Sequence, residues 1–186
     1  MQNRYSLVIS PPVAIIDLVK SMKEQLADQI GWFHSKNSLA HITINEFMAT
    51  DAEIDKIKKQ LATISDALEP TTVCLNHFDS YPNGAFFIAP DENSTEKLKK
   101  IFKHIHQFFR TKTLFNNNAP HLSIGRQLKT DQLATAYSIF THVDMNFLCE
   151  NVTLRRFDPN KKQFEIINHF MFNNNPNSSF VQETLF

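Results

Sequence analysis

His41-Ile42-Thr43-Ile44 and His121-Leu122-Ser123-Ile124 are the two stretches from which the rest of the chain is read. Each runs histidine, apolar residue, hydroxyl residue, apolar residue, and the two histidines lie 80 positions apart. In an extended strand side chains alternate between faces, so His41 and Thr43 share one face while Ile42 and Ile44 take the other. His121 and Ser123 share a face by the same rule, above Leu122 and Ile124. Each strand thus offers an imidazole beside a hydroxyl, on an apolar underside. With Ser and Thr at 25 of 186 positions, eight histidines give about 0.2 accidental matches to the full four-residue pattern. Two matches already exceed chance, and their spacing decides the reading, because the whole chain repeats at that offset.

Working outward, residues 4–10 alternate as a strand with Tyr5, Leu7 and Ile9 on one face, and Pro11-Pro12 ends it. A helix over 13–30 follows, with Ile15, Leu18, Val19, Met22 and Leu26 on its stripe. After the first motif strand, about 39–47, Thr50-Asp51-Ala52-Glu53 reads as a capping box opening a helix over 51–68. Pro70 closes it, and a strand runs to about Asp79. The turn Ser80-Tyr81-Pro82-Asn83-Gly84 restarts the order. A short strand spans 85–89, and a helical stripe carries Leu98, Ile101, Phe102, Ile105 and Phe109. Asn116-Asn117-Asn118 reads as a polar loop into the second motif, and a helix over 131–142 follows Thr130. Two strands, about 147–157 and 163–172, are joined at Asp158-Pro159-Asn160-Lys161. A shift of 80 lays strand on strand, helix on helix and motif on motif. The pattern is an internal duplication within one domain, residues 1–172, with halves at about 4–79 and 84–172. A polar tail, 173–186, is read as loose and dispensable for chemistry.

Composition bounds the function. Hydrophobic residues make up 42% and there are 17 phenylalanines, so the chain packs a core. No apolar run approaches the length of about 20 residues that a membrane helix needs, and the amino terminus lacks a signal-peptide pattern. Two cysteines, Cys74 and Cys149, suit reduced thiols in a cytoplasmic protein better than a disulfide framework. Formal net charge is zero, so any contact with nucleic acid is local.

The motifs, their separation and the duplication resemble the two-histidine phosphoesterase superfamily. Leu39-Ala40-His41-Ile42-Thr43-Ile44-Asn45-Glu46-Phe47 and Pro120-His121-Leu122-Ser123-Ile124-Gly125-Arg126 are similar to the motif regions of its bacterial 2′-5′ RNA ligase and RNA 2′,3′-cyclic phosphodiesterase branch. The resemblance covers roughly residues 4–172. It implies an α+β fold of two pseudo-symmetric lobes, each an antiparallel sheet backed by helices, with a central cleft. It also implies opening of 2′,3′-cyclic phosphates of RNA ends or nucleotides, or the reverse 2′-5′ ligation, without a metal.

His41 and His121 are the candidate catalytic residues, since an unperturbed imidazole can serve as acid or base near neutral pH. Which of them is the base stays open. Thr43 and Ser123 are candidate ligands of the phosphate oxygens. Arg126 could add positive charge, although strict alternation puts it on the Leu122 and Ile124 face, so a bend or the strand's end is required. Tyr5 and Phe86 fit core packing better than base stacking. Arg155-Arg156 and Lys161-Lys162 read as a solvated edge. The other histidines sit in no repeated motif; His104 and His106 point different ways on a helix, so no metal and no cofactor is expected. RNA ends or small cyclic nucleotides are the expected partners of a monomer that binds no membrane. Two rival readings remain: the same chemistry on the cyclic phosphate of a nucleotide-sugar, and an RNA-binding module with negligible turnover.

Overall fold

The computed structural model describes residues 2–176. The alternating amino-terminal stretch forms β1 (Gln2–Ile9), and the stripe behind the two prolines forms α1 (Val13–Ile30). β2 (Ile42–Thr50) carries the first motif into α2 (Asp51–Asp66). The expected capping box opens α2: the Thr50 amide donates to Glu53 Oε2 at 2.7 Å, and the Glu53 amide donates to Thr50 Oγ1 at 3.3 Å. β3 (Thr71–Ser80), β4 (Phe86–Pro90) and α3 (Glu92–Phe108) follow, then β5 (Thr113–Asn116) and β6 (Leu122–Gly125). α4 (Thr130–Ile139), β7 (Met145–Cys149), β8 (Asn151–Asp158) and β9 (Gln163–Met171) complete the order.

The strands form one α+β sheet in the order β7-β3-β4-β6-β2-β1-β8-β9, antiparallel throughout its registered pairs, with β5 also beside β2. A pseudo-two-fold axis passes between β6 and β2. β4, β3 and β7 on one side answer β1, β8 and β9 on the other. β3 pairs with β4 and β7, and β8 pairs with β1, so each half of the sheet takes strands from both halves of the chain. A single residue, Glu150, links β7 at one end of this order to β8 near the other. The sheet is therefore curled until its ends approach.

Leu7, Ile42, Ile44, Leu122 and Ile124 are fully buried in the core that the sheet shares with the helices. Four expectations are corrected. The segment expected as one strand over 147–157 is two, because β7 and β8 serve opposite ends of the sheet. The stretch before the second motif, expected as loop, includes β5; its Asn116 pairs with Asn45 of β2, so the polar chain finds backbone partners instead of water. On α1, Leu18 is 49% exposed while Lys23 is 2% exposed. The Lys23 ammonium donates to the carbonyls of Ser35 and Ser38 at 3.0 and 2.8 Å, which supplies the partners a buried charge requires. The start of the tail is tied, not loose: Asn173 and Asn175 donate to the two oxygens of Asp66 at 2.8 and 3.0 Å. The rest of the tail expected to be loose, from residue 177, lies outside the described residues.

Candidate active site

The two motifs repeat in burial as they do in sequence. His41, Thr43, His121 and Ser123 are partly exposed, while Ile42, Ile44, Leu122 and Ile124 are buried. β2 and β6 meet at the pair Ile42 with Leu122. By the antiparallel register His41 then lies across from Ser123, and Thr43 across from His121. All four side chains occupy the open face of the sheet. The two imidazoles are diagonal neighbours, about 7–8 Å apart at the backbone.

Each imidazole is held in the same way. His41 Nδ1 lies 2.6 Å from the Leu39 carbonyl, and His121 Nδ1 lies 2.7 Å from the Ala119 carbonyl. A carbonyl can only accept, so Nδ1 carries the proton in both rings and Nε2 is left as the reactive nitrogen. The carbonyls are positioned in turn. Lys23 gathers the loop before Leu39. Asn117 donates its side-chain amide to the Thr43 carbonyl at 2.8 Å, donates its backbone amide to the Ile44 carbonyl at 2.8 Å, and accepts from the Ala119 amide at 3.0 Å. One asparagine thus ties the loop that holds His121 to the strand that follows His41.

Alternation breaks at the same place in each motif. β1 pairs Leu7 with Asn45 and Val8 with Thr43, which leaves Ile44 extra; β4 pairs Phe86 with Gly125 and Phe87 with Ser123, which leaves Ile124 extra. A bulged residue shifts the parity of everything after it. Position 46 and position 126, again 80 apart, are returned to the open face. Glu46 there pairs with Arg4, whose Nε donates at 2.7 Å. Arg126 is exposed, and its charge bears on both imidazoles. The bulge supplies the bend that Arg126 required.

Burial, then the nearby Arg155 charge, with smaller effects of Lys23 and Arg126, hold the His41 imidazole well below the ordinary histidine value; the Leu39 carbonyl opposes them. Burial, followed by Arg126, lowers His121 against the pull of the Ala119 carbonyl. Arg155, expected on a solvated edge, is 5% exposed. Its Nη2 donates to Ser6 Oγ at 3.2 Å and its guanidinium lies 5.0 Å from the Phe164 ring centre. Burial brings it down to about 10. Tyr5 and Phe86 are core residues at 1% and 0% exposure. The aromatic neighbours of His121 are instead Phe87 and Tyr81, with ring centres 4.8 and 5.4 Å away. Lys23, Asn117, Arg155, Phe87 and Tyr81 stood in no repeated motif. Only the alternation of Thr153 and Arg155 with buried Val152 and Leu154 carried a signal. Among the described residues no three His, Cys, Asp or Glu side chains gather as a metal site, and no helix is long and apolar enough to cross a membrane.

Comparison with known proteins agrees with this architecture. A Geobacillus kaustophilus protein that bears the name phosphoesterase is 27% identical over 146 residues, which cover 77% of this chain and 81% of that protein. The fold matches that of Escherichia coli LigT complexed with 3′-AMP, with a TM-score of 0.67 at 12% identity, covering 92% of this chain and 98% of LigT. Kluyveromyces marxianus Usb1 matches with a TM-score of 0.53 at 13% identity, over 91% and 98% of the two chains. The model of the 2′-5′ RNA ligase superfamily matches residues 11–161. With most of its length inside that match, and the duplicated sheet to go with it, this chain belongs to the 2′-5′ RNA ligase superfamily.

Proposed function

We propose that the protein is a metal-independent phosphoesterase that opens 2′,3′-cyclic phosphates of RNA ends or nucleotides to 2′-phosphates. 2′-5′ ligation would follow the same path with an RNA 5′-hydroxyl in place of water, the 3′ oxygen again leaving as the hydroxyl. The observation that carries the reading is the pair of imidazoles, each with Nδ1–H spent on a carbonyl and Nε2 free, set diagonally across adjacent strands with a hydroxyl opposite each. In this reading the phosphate lies between them. One Nε2 takes a proton from water as the water oxygen bonds to phosphorus. The other delivers a proton to the ribose 3′ oxygen as its bond to phosphorus breaks, leaving a 2′-phosphate. Hydroxyls of Thr43 and Ser123 donate to the non-bridging oxygens, where negative charge grows. Arg126 adds attraction from the rim. The acid, base and hydroxyl donors this chemistry needs are all side chains of the chain itself, which is why chelators are expected to leave the rate unchanged. A monomer in the cytoplasm, with Cys74 and Cys149 as free thiols, suits this activity.

The test is product analysis by phosphorus NMR with a 2′,3′-cyclic nucleotide and with an RNA oligomer ending in a cyclic phosphate. A single 2′-phosphate product, formed equally in EDTA, is expected. A 3′-phosphate product, or loss of activity in EDTA, contradicts the reading.

A further inference from the structure

The chain is neutral overall, yet its charges are segregated. From Lys97 to Thr130 there are eight Lys and Arg residues and no Asp or Glu, so the other 152 residues carry a net charge of −8. This acid-free stretch covers α3 from Lys97 onward, β5 and the strand of the second motif. On α3, Lys99 and Lys103 stand one turn apart on the exposed side, and His106 lies one turn further on the same stripe. Among the described residues neither lysine has an ion-pair partner. Like charges at this spacing repel, by a few tenths of a kcal/mol in an isolated helix.

These side chains line an open cavity of about 710 Å³ together with Gln107 and Asn118, on a floor of Phe102. The cavity is joined to the active site through the backbone. His106 Nε2 donates to the Ile44 carbonyl at 3.3 Å. Asn118 stands beside Ala119, whose carbonyl holds His121. His121 is three positions after Asn118, at most about 11 Å of extended chain. On β5, Phe115 is 45% exposed and pairs with Glu46, which faces the open side of the sheet. An exposed aromatic therefore stands on β5, beside the strand of the first motif. Single-stranded nucleic acid is bound by this combination, lysines on the phosphates and aromatic faces on the bases.

We propose that the cavity lined by Lys99, Lys103 and Asn118 is a second phosphate site, which grips the backbone of a single-stranded RNA whose cyclic end lies between His41 and His121. The inference rests on the proposed activity toward RNA ends and gives that activity a preference for strands over mononucleotides. It also reconciles zero net charge with an RNA substrate.

The experiment compares the full-length wild type with Lys99→Glu/Lys103→Glu and with the milder Lys99→Ala/Lys103→Ala. Turnover is read with a 2′,3′-cyclic mononucleotide and with an RNA dodecamer ending in a cyclic phosphate. Binding is read with the same dodecamer ending in a 2′-phosphate. Mononucleotide turnover is expected to stay unchanged. For the dodecamer, KM and Kd should rise at least tenfold with glutamate and less with alanine, and the slope of log Kd against log salt should fall by about 1.4 for two lost contacts. Unchanged dodecamer binding in the glutamate variant overturns the proposal. So does equal weakening with both substrates, and so does loss of binding to anionic vesicles with RNA binding intact. If the wild type turns over neither substrate, the assigned activity falls, and the dodecamer Kd in wild type and variants still decides the second site.

Discussion

Two imidazoles with the same Nδ1 anchor sit among different charges, and the consequence for their titration is open to measurement. His41 is depressed by burial and by Arg155, and His121 by burial and by Arg126. The productive form has one ring charged and one neutral. Below the lower of their two values both are charged, and above the higher both are neutral. Because both lie below the ordinary 6.5, kcat/KM for a cyclic nucleotide is expected to follow a bell centred on the acid side of pH 6.5. A bound phosphate anion raises both rings, so the bell for kcat should lie at higher pH. A kcat/KM profile that is flat, or that peaks above pH 7, contradicts the assigned environments. Position 41 and position 121 were legible in the sequence because strand alternation alone puts each histidine with its hydroxyl. Arg155 was not, since its burial depends on Ser6 and Phe164, which are far away in the chain and reach it only through the β1–β8–β9 register.

The elements set the site through a few strategic bonds. Asn117 makes three hydrogen bonds that join the two motifs, although it sits in a run of asparagines that carries no periodic signal. Replacing it with alanine removes two side-chain bonds and leaves the Thr43 carbonyl and the Ala119 amide to find water. A loss of about 1–3 kcal/mol in stability is expected from urea unfolding. A fall of about tenfold in kcat is expected as well, since positioning errors at a catalytic group are costly in rate. Normal kcat in the alanine variant would detach Asn117 from the site. At the carboxyl end, deletion from Asn173 onward removes the clasp on Asp66. Thermal unfolding should then fall by a few degrees, given about 2–4 °C per kcal/mol at this size, with turnover within a few-fold of wild type. A large loss of turnover in the folded truncation would place the tail in the mechanism. Helices and most strands were legible from stripes, turns and the capping box. β5 and the two bulges were not, because they arise from the pairing of β5 with β2, of β2 with β1 and of β6 with β4, which no local pattern encodes.

At the scale of the molecule the duplication is a sheet property more than a chain property. The offset of 80 identifies equivalent strands, and it says nothing of which strand each one pairs with. In the sheet, β3 of the first half lies between β4 and β7 of the second, and β1 has β8 as its outer neighbour. A fragment ending at Ser80 therefore lacks both partners of β3 and one partner of β1. It is expected to show no cooperative thermal transition by circular dichroism, and to gain one only when the fragment 81–186 is present. A cooperative transition of 1–80 alone would mean that the first half is an independent lobe.

The most direct test of the two-histidine site is a double-mutant cycle on 2′,3′-cyclic nucleotide turnover with wild type, His41→Ala, His121→Ala and the double variant. Each single change should cost on the order of 10²–10⁴ in kcat, the range of a positioned acid or base. The double change should cost little more than the worse single, since a pair acting on one phosphate fails as a unit. Thr43→Ala and Ser123→Ala, run beside them, should be milder and should also weaken phosphate binding. Costs that multiply in the double variant, or near-wild-type turnover in either folded single variant, would contradict a shared site.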